Sequence, residues 1–167
     1  IFSNVLPWNV CRPIYKTNFI KGRILFNEKI QNFQDDEFNV RVLYHLKPRY
    51  LSIDYTDSYY RFDPESVNKY NSLKGNQNMV ESMLEYYKTV FVVLDSGTKT
   101  TYRDKLIQKL YNQINVYVQP KINVHAIYKT IKLFDRELHL STKEYFILYG
   151  ITFLNNYFLH KKGYHFL

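Results

Sequence analysis

Residues 17–55, TNFIKGRILFNEKIQNFQDDEFNVRVLYHLKPRYLSIDY, carry both a two-residue apolar periodicity and the chain's densest set of residues suited to gripping RNA. Ile24-Leu25-Phe26 is a short apolar run, and Asn27-Glu28-Lys29 reads as a polar turn leading into a return strand through Ile30. Further along, Phe38, Val40, Val42 and Tyr44 alternate with Asn39 and Arg41, and Leu51, Ile53 and Tyr55 alternate with Ser52 and Asp54. Alternation of this kind buries one face of a sheet and wets the other. The reading places a small mixed sheet here, with Lys21, Arg23, Arg41, Lys47 and Arg49 clustered around it. Asp35-Asp36-Glu37 reads as a solvated turn, because adjacent acids on a strand would point to opposite faces and could not share a metal ion.

Two lines within the stretch resemble a known family. Gly22-Arg23-Ile24-Leu25-Phe26-Asn27-Glu28-Lys29 resembles the Gly-x-Ile-x-Val-Asn-Gly-Lys strand and turn of small-subunit ribosomal protein four, with Glu28 in place of the turn glycine. Pro48-Arg49-Tyr50-Leu51-Ser52-Ile53-Asp54-Tyr55 resembles the Pro-x-Tyr-Leu-x-Val-x-Tyr segment that follows in mitochondrial members. The resemblance implies a structural constituent of a mitochondrial small ribosomal subunit, located in the matrix, with rRNA and neighbouring ribosomal proteins as partners. Its implied phosphate contacts are Lys21, Arg23, Lys29, Arg41, Lys47 and Arg49.

Residues 1–16, with Pro7 and Pro13 around Trp8, read as an irregular N-terminal arm, and nothing there resembles a secretory signal. Residues 56–75 are polar and broken by Pro64 and Gly75, so they read as a loop that closes the RNA-binding module of residues 17–75. An α/β domain is expected over residues 76–167. Within it, Met79, Val80, Met83, Leu84 and Tyr87 have helical spacing, Val90-Phe91-Val92-Val93-Leu94 reads as a buried strand, and Thr100 or Thr101 is expected to cap a helix whose buried stripe is Leu106, Ile107, Leu110 and Ile114. Residues 115–119 alternate as another strand. Val124, Ile127, Ile131 and Phe134 suit an amphipathic helix with Lys129, Lys132 and Arg136 facing out. Ser141-Thr142-Lys143-Glu144 has capping-box spacing and opens a long apolar helix, residues 145–159. That helix is expected to be buried in protein, since its uncharged run is shorter than the ~20 residues a bilayer requires. The expected fold class is therefore α+β: a small mixed sheet module, then an α/β sandwich, then a long apolar C-terminal helix.

Ile, Asn, Lys, Tyr and Phe supply 73 of 167 residues and Ala supplies one, the usage of an AT-biased gene. The formal charge of +8 is uneven: residues 1–96 hold 12 basic and 11 acidic side chains, whereas residues 97–167 hold 11 and 4. The basic second half, with 18% aromatics overall, suits a partner that offers phosphates and bases. There, Lys99, Arg103, Lys105, Lys109, Lys161 and Lys162 are the candidate RNA contacts.

Catalytic patterns are missing from the sequence. Cys11 is the single cysteine, the five histidines show no i, i+4 pair, and the five glycines are scattered rather than gathered in a phosphate loop. No enzyme activity, cofactor, metal or small-molecule substrate is expected. The competing expectation is an accessory subunit of an organellar membrane complex, whose basic charge would meet lipid headgroups.

Overall fold

Residues 38–44, 90–93 and 115–117, expected in strands, lie instead on helical turns, and the rest of the architecture follows from that change. The computed structural model describes residues 13–51 and 72–158, of which 71% are helical and none lies in a strand. The expected α+β class, with its sheet module and α/β sandwich, is corrected to all-α. Residues 52–71 and 159–167, which include the end of the 17–55 stretch, most of the expected loop, Lys161 and Lys162, lie outside the described residues, as does the arm up to residue 12.

The first correction falls on residues 38–44. After a single helical turn, α1 (Thr17–Ile20), which ends at Gly22 with a positive φ of 74°, the chain forms α2 (Gln34–Arg41) and continues it as a π-helical turn, Val42–Leu46. Asp35, Asp36 and Glu37 occupy the first turn of α2, where the positive end of the helix dipole favours carboxylates. Arg41 then closes a two-toothed i, i+4 pair on Glu37 at 2.7 and 2.8 Å. The apolar alternation arises because α2 is apolar on two sides. Val40 joins the main core, while Phe38 and Val42, one turn apart on the opposite side, join a smaller cluster with Ile24. Lys47, in the left-handed conformation, stops the helical run before Pro48.

Residues 24–26 are irregular rather than a strand, while the expected strands at 90–94 and 115–119 dissolve for the same kind of reason as 38–44. In α3 (Leu73–Val93), capped by Ser72, the buried set Val80, Met83, Tyr87, Val90 and Leu94 keeps the three-and-four spacing straight through the Val-rich run. Val92 is 85% exposed, so that run has an outside, which a buried strand would lack. Asp95 caps the short α4 (Ser96–Thr101) by accepting from the Thr98 N–H at 2.8 Å, and Thr100 and Thr101 fall inside that helix; the next helix, which they were expected to cap, has Tyr102 at its N-cap and no side-chain cap bond. Residues 115–117 are the last turn of α5 (Arg103–Tyr117), with Leu106, Leu110 and Ile114 buried as expected and Ile107 only partly buried. The amphipathic helix is α6 (His125–Leu138), and the capping box at Ser141 and Glu144 is present in full at the start of α7 (Thr142–Tyr157).

α3 makes its most extensive contact with α6, α2 lies across α3, and α7 packs on α5 and α6. Aromatic rings fill the centre: Tyr87 meets Phe134 edge-on at 4.6 Å, and Phe91 meets the same ring at 5.0 Å. Such pairs contribute ~0.5–1.5 kcal/mol each beyond the area they bury. The long apolar C-terminal helix is the last correction. α7 has 16 residues, and although Leu148, Thr152 and Asn155 are buried, Phe146 is 70% exposed and Phe153 and Tyr157 also face out. Among the described residues, no helix is long and apolar enough to cross a membrane.

Candidate nucleic-acid interface

The packing of α6 on α3 leaves a shallow groove of about 520 Å³ between them, lined by Leu84, Lys88, Lys129, Lys132, Leu133 and Arg136. Helical spacing explains the cationic wall. Lys129, Lys132 and Arg136 stand three and four residues apart, so one side of α6 presents all three while Ile127, Ile131 and Phe134 turn inward to the core. Lys88 faces them from α3, and Leu84 and Leu133 form an apolar floor. Lys129 and Lys132 are exposed and pair with no carboxylate among the described residues. Lys88 holds Glu85 at 2.7 Å and Arg136 holds Glu137 at 2.9 Å, both on the surface, where such pairs are worth ~0–1 kcal/mol and exchange readily for another anion. Four cations over an apolar floor make a track for a chain of phosphates.

The cations expected from sequence separate into two groups. Arg41, Lys99, Arg103 and Lys109 are committed to carboxylates. Lys109 is buried; its Nζ donates to Asp36 Oδ2 at 2.8 Å and to the Tyr86 hydroxyl at 3.0 Å, tying α5 to α2 and α3. Asp36 and Glu37 are themselves buried, so the expected solvated acidic turn is corrected to a structural one. Burial first, and the charge of Asp36 second, push the Tyr86 hydroxyl well above its ordinary pKa, so it stays protonated. Arg103 donates to both oxygens of Glu144, at 2.8 and 2.7 Å, and to the carbonyls of Leu138 and His139. It clamps the corner between α6 and α7, and its hydrogen bonds are the main reason the Glu144 carboxyl falls to about 2. Lys99 pairs with Glu137 at 2.7 Å.

Lys21, Arg23, Lys29, Lys47, Arg49 and Lys105 are exposed and have no carboxylate partner among the described residues. Arg23 lies 6.0 Å over the Phe19 ring and Lys105 5.8 Å over Tyr102. Arg23 also borders a second open depression, on the α2 side of α3, beside the exposed ring of Phe26.

No protein-family model, no curated protein and no solved structure matches the chain. The site therefore stands on its own chemistry. Its centre was legible in part: the helical spacing of residues 124–134 points Lys129, Lys132 and Arg136 outward. That Lys88 joins them is a fact of how α3 packs on α6, and its neighbourhood in sequence carries no sign of it.

Proposed function

We propose that the chain is a structural RNA-binding component of a ribonucleoprotein particle, and that the groove between α3 and α6 holds the RNA backbone. The observation that carries this reading is the convergence of Lys88, Lys129, Lys132 and Arg136 on one groove, two of them without a carboxylate partner among the described residues. Phosphate contacts of this kind fix position and orientation without reading sequence, which is the task of a protein that holds a folded RNA in place. The particle is an organellar small ribosomal subunit on the resemblance over residues 17–55; that likeness stands on residue identities and on the turn over residues 27–30, where the Ile30 N–H donates to the Asn27 carbonyl at 3.1 Å, since the strand it implied is absent from the described part of the segment. The role is non-catalytic, with rRNA and neighbouring ribosomal proteins as partners and the mitochondrial matrix as the compartment.

A second reading, an accessory subunit of an organellar membrane complex, draws on the exposed Phe146, Phe153 and Tyr157 side of α7. The native particle separates the two. Ultraviolet cross-linking in organelle extracts should join the chain to RNA, with the adducts on peptides of α3 and α6. A chain that carries no RNA and sediments with lipid after alkaline carbonate would contradict the first reading and favour the second.

A further inference from the structure

The depression beside Phe26 differs from the α3–α6 groove in what it offers. Its volume is about 520 Å³, within the ~300–1,000 Å³ usual for small-ligand sites, and its wall includes an aromatic ring, an arginine with no carboxylate partner among the described residues, and backbone. Phe26 stacks on Phe38 with centroids 4.4 Å apart and planes within 17°, yet remains 53% exposed. One face of the ring is therefore occupied and the other is open. The stack is held from below: Phe38 is buried in α2, and Arg41 donates to the Leu25 carbonyl at 2.7 Å, fastening the 22–27 segment to the helix. A supported aromatic ring of this kind is a platform for a flat, apolar, π-rich partner.

Charge narrows the partner. Glu37 lines the depression, but its carboxylate is buried and spent on Arg41, so the surplus charge is the positive one of Arg23. The polar side chains at the rim are largely engaged within the protein. Asn27 Oδ1 accepts from the Lys29 N–H at 3.1 Å, and the Thr89 hydroxyl donates to the Glu85 carbonyl at 3.3 Å. A ring system that stacks, carries a negative group beside it and asks for few hydrogen bonds is a nucleobase with its phosphate. Position supports the same partner. Thr89 of α3 lines this depression and Lys88, the next residue back, lines the cationic groove, so the two open on neighbouring faces of one helix, about 100° apart around its axis. We infer that this depression takes one unpaired base of a single-stranded RNA, stacked on the open face of Phe26 with its phosphate at Arg23, while the strand crosses α3 to the groove. This rests on the RNA-binding reading and adds the strandedness of the ligand to it. Stacking on a ring is tolerant of base identity, so the site selects unpaired RNA rather than a sequence.

The test uses the full chain with a short oligouridine and an abasic oligomer of equal length and charge. Wild-type protein should bind the oligouridine more tightly than the abasic strand. Phe26→Leu, which keeps an apolar contact on Phe38, should weaken oligouridine binding by about 5- to 150-fold, leave the abasic strand unaffected and leave the salt dependence unchanged. Equal oligouridine binding by Phe26→Leu and wild type would overturn the inference while leaving the groove reading intact. Failure of the wild type to bind either oligomer at low salt would overturn both. A second variant guards against misfolding: in a Trp8→Phe background, Phe26→Trp should lose emission when oligouridine binds but not when the abasic strand does, and unchanged emission would also overturn the inference.

Discussion

Two sets of cations lie around α3, and they are used in opposite ways. On the α2–α5 side, Lys109 and Arg41 lie close against Asp36 and Glu37, with Tyr86 completing the contact. On the α6 side, Lys129 and Lys132 stand in solvent with no carboxylate against them among the described residues. A charge drawn into a protein interior must be matched, because desolvation costs several kcal/mol per ion. A charge left in water costs nothing to keep and remains available to a polyanion. The comparison teaches that a count of Lys and Arg says little about an RNA surface until each cation's partner is known.

The largest effect should come from breaking the buried set. Lys109→Met leaves Asp36 buried without its counter-charge and should cost about 3–5 kcal/mol in urea unfolding, whereas the double variant Asp36→Asn, Lys109→Met should cost less than the two single changes added together. A Lys109→Met protein as stable as wild type would break the comparison on its buried side.

The clamp at α7 comes next. Glu144 ionises in the folded state at about 2, below its ordinary 4.5, so its contribution is present above pH 4.5 and is lost as pH falls toward 2. Solvent reaches the pair, with both side chains 27% exposed, which brings the expected contribution to roughly 1–2 kcal/mol. Acid unfolding of Glu144→Gln should lose that part of the wild-type slope.

Alkaline unfolding probes the tyrosines that join α6 to α7. Tyr149 stacks between Tyr128 at 4.9 Å and Tyr145 at 4.6 Å, and burial followed by the Tyr145 hydroxyl raises its pKa from 10.0 to about 12. A raised folded-state pKa gives stability that is complete below pH 10 and lost as pH rises through 12. Tyr149→Phe should remove that dependence, read by circular dichroism alongside phenolate absorbance. The smallest stability effect belongs to the groove. Lys129→Ala, Lys132→Ala and Arg136→Ala together should shift stability by no more than about 0.5 kcal/mol, because exposed cations contribute little to folding.

The legible part of the fold was its helical periodicity downstream of residue 76 and the Ser141–Glu144 capping box. Residues 38–44 misled because a helix packed on both sides produces an apolar alternation that a half-buried strand also produces. The informative signal there was local: three acids, then Glu37 and Arg41 at i, i+4, mark a helix start that the alternation concealed. Residues 90–94 misled through β-branched composition, which long-range packing on Phe134 overrides. In the site, outward spacing on α6 was visible, but the fate of Arg103 and Lys109 was not, because their partners Glu144 and Asp36 lie 41 and 73 residues away in the chain.

The measurement that tests the groove most directly is the salt dependence of RNA affinity in that triple variant. Each phosphate neutralised on a single strand contributes about 0.7 to the slope of log affinity against log salt, and about 0.9 on a duplex. Removing Lys129, Lys132 and Arg136 should flatten the slope by roughly two to three units with the circular dichroism spectrum unchanged. A slope equal to that of wild type, in a protein that is still folded, would contradict the placement of RNA between α3 and α6.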